Sequence, residues 1–414
     1  MSFERVLCGV GGSVIIAAGV LAASAGEARA QRAERVMVTM SEGVGGGVGA
    51  VQRRSIERYA ELLGFSTDQR DSALAIHEGY MAAYKEVQKA RGQAIEEINR
   101  SAQDSGDHSV FVEKFPAIGK EFGEKTRKLE KTLFDDLRML CSDATQEANW
   151  VRVERMRRRE TELRPGGIAG EGLDLIEIVR NLKLPADAFA AVSPSLDEYE
   201  TDMDGQIKAR QQLRSGAPVF KPGEPTDMEA LRKSMADARD AGLRIKGVNE
   251  RFARRIEAVL PETYQAAFRR AVREATFPQV YRKSPIVRDI DKALTLTDLT
   301  GEQRAALTEL KAAYERDSRP VNDAWAAAIA DADKTGAGAG MIAGPGGAQM
   351  VMRTQDEPEP LREARKARRE LDEKAREKIR TTLSDAQQAA IKPKPGEGEA
   401  EMVDFAQDML MIRR

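Results

Sequence analysis

Histidine and cysteine are almost missing from this sequence. The 414-residue chain holds two of each, His77 and His108, Cys8 and Cys141. There is no H-x-x-x-H pair and no cysteine cluster, so the usual zinc, nickel or copper ligand sets are not encoded. Serines and carboxylates abound, but none stands in a motif with a base, and there is no nucleophile elbow. The reading is therefore non-enzymatic, with no cofactor. Cys8 falls in an N-terminal apolar segment, which leaves Cys141 alone in the rest of the chain and excludes an intramolecular disulfide there. Beside Leu140, Cys141 reads as a small core residue.

Aromatic residues are also scarce, at 5%, against 32% charged residues. That balance argues against a large single-core enzyme and fits long amphipathic helices. An excess of one charge sign is missing too. The net charge is −2, and removing residues 1–30 takes away two acids and two bases. No global basic field points to nucleic acid. Beyond residue 30 no stretch is long and apolar enough to span a bilayer.

What is present begins at the N-terminus. Arg5 precedes an apolar and small-residue run from Val6 to Ala25, and Ala28 and Ala30 stand in the A-x-A arrangement of a signal-peptidase site. This predicts a signal peptide over 1–30, cleavage near Ala30 and export to the periplasm or beyond. The alternative is an uncleaved N-terminal membrane anchor. A flexible Gly-rich leader follows over 31–52; its "GVGGGVGA" lacks the preceding strand and the spacing of a phosphate loop.

Gly/Pro-rich breaks then divide the chain into helical segments 53–164, 173–277 and 286–391, with a tail over 392–414. Tyr80, Tyr199 and Tyr314 are separated by 119 and 115 residues. Gln146, Gln265 and Gln388 are separated by 119 and 123. Two landmarks with one period indicate a threefold internal repeat. A polar or Gly/Pro-rich interruption sits mid-way in each segment, at 101–109, 215–227 and 335–349; the last continues to 360 and is expected to be a disordered tip loop over 335–360. On either side mostly apolar residues step by three and four, the first seam being imperfect at His77 and Arg91. Examples are Leu74, His77, Tyr80, Tyr84, Val87, Arg91, Ala94 and Ile98, then Leu129, Leu133, Leu137 and Leu140. The second segment returns with Ile245, Val248, Phe252, Ile256 and Val259. The expected fold is all-α: three tandem helical-hairpin repeats with short capping helices, joined by Gly/Pro-rich linkers.

Ser/Thr-to-Gln elements recur in the first and last segments, and Pro261 replaces the cap in the middle one. Ser66 with Gln69, Thr300 with Gln303, and Ser384 with Gln387 have the spacing of a capping box, in which each partner satisfies an orphan amide at a helix start. Ser142 keeps the cap with Gln146 one residue later, and Pro261 is expected as an N1 proline ahead of Gln265. Gln388 lies beside Gln387. A basic run holds Arg152, Arg155, Arg157, Arg158 and Arg159. It reads first as a solvated helix end that suits the dipole, and second as a basic binding patch.

The elements "LTGEQ" (299–303), "LSDAQ" (383–387) and "FSTDQ" (65–69), doubled within a helical hairpin of an exported chain, resemble the LTxxQ family of periplasmic stress proteins, the Spy- and CpxP-like proteins. "LPETYQ" and "LCSDATQ" match with one inserted residue, and "LPADA" (184–188) lacks the Gln. The resemblance implies hooked helical hairpins and ATP-independent chaperone action on unfolded or envelope proteins. Peripheral membrane contact and self-association are further expected partnerships. An envelope scaffold is the alternative. A metal-responsive sensor is the third reading, which the scattered Met350, Met352, Met402, Met409 and Met411 support weakly.

Overall fold

The computed structural model describes residues 49–106, 109–163, 167–216, 227–336 and 358–392, together with four short strands. His108, the N-terminal apolar run except Val14–Ile16 and the tail beyond Lys392 lie outside the described residues.

The fold is all-α: helices build every packed core. In chain order the first four are α1 (Arg53–Leu63), α2 (Thr67–Ser105), α3 (Ser109–Met139) and α4 (Ala144–Glu162). On α1, Ile56, Tyr59, Ala60 and Leu63 fall on one face and are buried. The helix ends at Gly64, whose φ of 67° is left-handed; Phe65 N then donates to Ala60 O and Gly64 N to Glu61 O. This closes the terminus as a Schellman turn. α2 and α3 form a long hairpin, and α1 and α4 close its base. The shared core includes Tyr59, Tyr80, Tyr84, Phe122, Leu133, Leu137, Trp150 and Val153. Arg91 interrupts the apolar seam of α2, and its guanidinium lies 4.7 Å from the centre of the Phe122 ring, a cation–π contact that explains an arginine there.

The remaining helices are α5 (Leu175–Asn181), α6 (Ala186–Ser215), α7 (Met228–Val259), α8 (Glu262–Thr276), α9 (Pro278–Tyr281), α10 (Pro285–Leu294), α11 (Gly301–Thr335), α12 (Glu359–Thr382) and α13 (Asp385–Ile391). At the base of α6 and α7, Tyr199 and Phe252 meet edge to face at 5.7 Å. α10 to α13 share a core of Ile286, Ile290, Leu307, Leu310, Tyr314, Ile379, Leu383 and Ile391.

The chain divides into two compact units, Met1–Glu162 with Ile207–Ala238 and Ala339–Gln355, and Leu163–Gln206 with Arg239–Gly338 and Asp356–Arg414. These do not follow the segments 53–164, 173–277 and 286–391 one for one. The distal parts of α6 and α7 group with the first unit, where Arg210, Gln211 and Arg214 all reach Glu162 at the end of α4. In the second unit the end of α11 meets residues far earlier in the chain. Asp333 accepts from Ala169 N at 2.9 Å and stands 3.7 Å from Lys246 Nζ.

Three expectations change in detail. The interruption at 101–109 is mostly helical, since α2 runs to Ser105 and α3 begins at Ser109. Val259 is 42% exposed, while Leu260 is buried and continues the stripe of Phe252 and Ile256 with a step of four. The tip loop 335–360 holds strands β3 (Gly340–Ala343) and β4 (Gln349–Met352). These pair in an antiparallel sheet with β1 (Val14–Ile16) and β2 (Met37–Met40), in the order β1-β2-β4-β3. Short apolar runs such as "QMVM" suit a strand once a partner edge is present.

Candidate functional site at the hairpin bases

The Ser/Thr-to-Gln elements sit where the long helices meet the short ones. At α2, Gln69 N donates to Ser66 Oγ (3.3 Å) and Ser66 N donates to Gln69 Oε1 (2.9 Å). Thr300 and Gln303 repeat this at 3.1 and 3.0 Å, and Ser384 and Gln387 at 3.3 and 3.0 Å. Each is a complete capping box.

The same glutamines do more than cap. Each amide has its oxygen on its own N-cap, so its NH₂ group points outward. Gln69 Nε2 donates to Gln146 Oε1 and Gln146 Nε2 returns the bond, both at 3.1 Å. Gln69 Nε2 also donates to Leu140 O at 2.7 Å. At the far end of the chain, Gln303 Nε2 donates to Gln387 Oε1 (3.1 Å) and to Thr382 O (2.9 Å). Two glutamines therefore clasp the entry and exit of each of these hairpins.

Two assignments from spacing are corrected. Asp143, not Ser142, is the capping residue of α4: its carboxylate accepts from Thr145 N (2.8 Å) and Gln146 N (2.9 Å), while Ser142 N donates to Gln146 Oε1. This restores the spacing of three between cap and Gln that a Ser142 cap would break. Pro261 occupies the N-cap position itself, ahead of Glu262, and supplies no side-chain bond. Gln388 does not join the clasp. It donates to Leu383 O at 2.9 Å, as Gln265 does to Leu260 O at 3.0 Å. Gln265 and Gln388 thus make the same bond, each to the carbonyl five residues before it.

A second set of contacts was not read from sequence beyond its period. Tyr80 OH accepts from Val51 N (3.1 Å), just ahead of α1. Tyr199 OH accepts from Leu175 N (3.3 Å) at the start of α5 and donates toward Asn249 Oδ1 (3.0 Å) and Leu173 O (3.2 Å). Tyr314 OH meets Ser284 Oγ, the cap of α10, at 2.6 Å. All three rings are buried, and each ties a long helix to the start of the short helix before it. Burial holds the Tyr80 and Tyr314 hydroxyls above the usual phenol value, so they remain neutral.

The arginine run is not an open basic face. Arg159 is buried, and Arg152, Arg155, Arg157 and Arg158 are half-buried. Arg157 forms a two-pronged pair with Glu130, at 2.7 and 2.9 Å, and Arg158 stands 3.7 Å from Glu154. Glu160 on the same turns accepts from Tyr59 OH (2.6 Å) and Ser55 Oγ (2.7 Å). A helix packed on two sides withdraws its cations from solvent, and a run of letters does not show that packing.

The exposed apolar side chains are placed differently. Met139 at the end of α3 is 76% exposed and Val151 on α4 is 44% exposed. Phe189 at the start of α6 is 48% exposed, Val259 at the end of α7 42% and Leu213 near the other end of α6 39%. All but Leu213 sit toward hairpin bases, and large exposed apolar groups of this kind mark contact surfaces when they cluster. Cys141, half-buried against the first core, has its thiol pushed up by burial. His77 is buried with Nε2 at 2.8 Å from Val51 O.

Among the described residues no group of three or more His, Cys, Asp or Glu could hold a metal ion, and no helix is long and apolar enough to cross a membrane. Compared with protein-family models, curated proteins and solved structures, the chain matches none of them.

Proposed function

We propose that the chain is an exported, non-enzymatic protein of three tandem hairpin units, similar to the LTxxQ stress proteins, that binds other polypeptides without nucleotide. The observation that carries this reading is the doubled glutamine clasp. A capping box needs only one Gln per helix start, but Gln69 with Gln146 and Gln303 with Gln387 join two such starts in one hairpin. The resemblance implies a hooked helical hairpin whose motif residues support the fold, and a pair of motif glutamines that ties two helix starts together agrees with that role. The tandem arrangement is supported by Tyr80, Tyr199 and Tyr314, which make the same tie in three places. The client surface is assigned to the hairpin bases, where Met139, Val151, Phe189 and Val259 leave apolar area in water. Apolar area offered to a partly unfolded chain is the driving force of nucleotide-independent holding.

The test is light scattering of an aggregating client mixed with the protein and no nucleotide. Stoichiometric protein is expected to suppress aggregation, and Met139→Ser with Phe189→Ser to reduce suppression without loss of helicity. Unchanged aggregation across several clients would remove the reading.

A further inference from the structure

The second unit carries a cleft of about 490 Å³ between α6 and α7, lined by polar residues. Its origin lies in a ladder of ion pairs that stops. Arg255 pairs with Glu198, with one contact at 2.8 Å, and four residues along Arg251 pairs with Asp202 at 2.7 Å. Four residues on from Asp202 the next rung on α6 falls at Gln206, beside Gly205, and neither carries an acid; Asp204, between them and Asp202, is buried. The facing residue of α7 is Gly247. A Cβ added at either glycine would meet nothing within 4 Å. Glycine inside a helix costs stability relative to alanine, and neither position has a steric reason to exclude a side chain. The result is an open floor where a third rung would stand.

Two hydrogen-bond donors line that gap. Among the described residues neither Arg244 nor Gln206 makes a hydrogen bond or ion pair. Arg244 is exposed and Gln206 half-buried. Arg251 is already neutralised by Asp202, so the cleft offers about one net positive charge. That matches a singly charged carboxylate. A phosphate dianion would bring a second charge against the Asp202 carboxylate.

We propose that this cleft binds a carboxylate side chain of a partner polypeptide, held by the Arg244 guanidinium and the Gln206 amide above the open floor at Gly205 and Gly247. The proposal rests on the polypeptide-binding reading and deepens it. It adds acidic segments as a class of client feature and separates their site from the apolar hairpin bases. A guanidinium binds a carboxylate through two parallel hydrogen bonds, which fixes direction as well as charge.

The experiment is fluorescence anisotropy of a labelled peptide of alternating glutamate and glycine, titrated with the full chain at low salt. The same peptide with glutamine in place of glutamate and a phosphoserine version are run in parallel. Arg244→Ala is expected to weaken the glutamate peptide about tenfold, the scale of one lost charge-assisted contact. Gly247→Leu, which fills the floor, should weaken it similarly. Arg254→Ala, an exposed arginine outside the cleft, should leave binding unchanged. Equal losses in Arg244→Ala and Arg254→Ala, or equal binding of the glutamine peptide, would overturn the site, as would tighter binding of the phosphoserine peptide. Aggregation suppression is measured on the same preparations. Suppression without Arg244-dependent peptide binding removes this site alone, whereas absent suppression removes the broader reading.

Discussion

Gln303 and Gln387 hydrogen-bond to each other across the base of the last hairpin, Nε2 to Oε1 at 3.1 Å in one direction and 3.4 Å in the other. Each amide also accepts from the backbone N–H of its own capping residue, Thr300 or Ser384. One side chain thus holds a helix start and a helix–helix junction together. Gln303→Ala removes the cap bond, the Gln387 bond and the donation to Thr382 O, and is expected to cost about 2 kcal/mol, at roughly 1 kcal/mol net for each well-formed bond with partial replacement by water. Gln303→Glu keeps an acceptor for Thr300 N but cannot donate, so it should lie between the two in urea denaturation. A double-mutant cycle of Gln303→Ala with Gln387→Ala isolates the pair, with a coupling of about 1 kcal/mol expected. Additive single effects would show that the two amides do not act together.

The buried tyrosine ties make a second prediction. Tyr199 is fully buried, and its hydroxyl is shared among Leu175 N, Leu173 O and Asn249 Oδ1. Tyr199→Phe retains the ring and strands those groups, which costs about 1–3 kcal/mol for the unsatisfied donor and acceptors. Asn249 keeps its donation to Gly170 O, so the loss should be confined to one side of the amide. Chemical denaturation of Tyr199→Phe against Tyr199→Leu separates the hydroxyl from the ring. Equal stability of Tyr199→Phe and the parent chain would remove the structural role assigned to the hydroxyl.

Much of this architecture was legible in the letters, for stated physical reasons. Steps of three and four placed Leu133, Leu137, Ile245, Phe252 and Ile256 in cores, because a helix turns every 3.6 residues. Capping boxes at Ser66, Thr300 and Ser384 were visible because both partners lie within one turn. What stayed hidden depends on contacts between distant segments. Nothing local in "ATQEAN" says that Gln146 meets Gln69, 77 residues earlier. Nothing local in "RVERMRRRE" says that Arg157 is enclosed by Glu130 on another helix. The period set Gln146, Gln265 and Gln388 alike, yet Gln265 and Gln388 each bond to the carbonyl five residues before, whereas Gln146 bonds to Gln69. Repeats align residues; only packing tells which of two adjacent glutamines faces a partner.

Alkaline pH offers a third prediction. Burial, reinforced by the 2.7 Å bond to the Asp323 carboxylate, pushes the Tyr281 phenol up to about 12. The ordinary value of about 10 holds in the unfolded chain. Between these values the folded state keeps a proton that the unfolded state has released, so stability falls as pH rises through that window. Below it the contribution is fully present. Tyr281→Phe removes the linkage, and its stability should fall less steeply above pH ~10 than that of the parent. Ultraviolet titration of phenolate absorbance provides an independent reading: the variant should lose one late-titrating tyrosine. A missing early-titrating tyrosine in the variant would place Tyr281 in open solvent.

The paired charges inside the first unit make the strongest demand on stability. Arg157 and Glu130 are only 12% and 21% exposed, and two parallel bonds at 2.7 and 2.9 Å join them. Removing one partner leaves the other as a poorly solvated charge, which in comparable sites costs about 3–5 kcal/mol. Glu160, 3.7 Å from Arg157 and already bonded to Tyr59 and Ser55, would lose its nearby cation as well. Arg157→Met alone is therefore expected to be severely destabilising, and Glu130→Leu somewhat less so because Glu160 remains to balance the arginine. The double variant Glu130→Leu with Arg157→Met replaces the pair by apolar groups of similar volume. It should recover the part of the loss due to the stranded Glu130, since the pair's attraction largely offsets the desolvation of its own members, while Glu160 still lacks its cation. If the double variant were as unstable as the sum of the singles, the pair would be doing something other than cancelling its own burial. Thermal unfolding followed by circular dichroism distinguishes these outcomes.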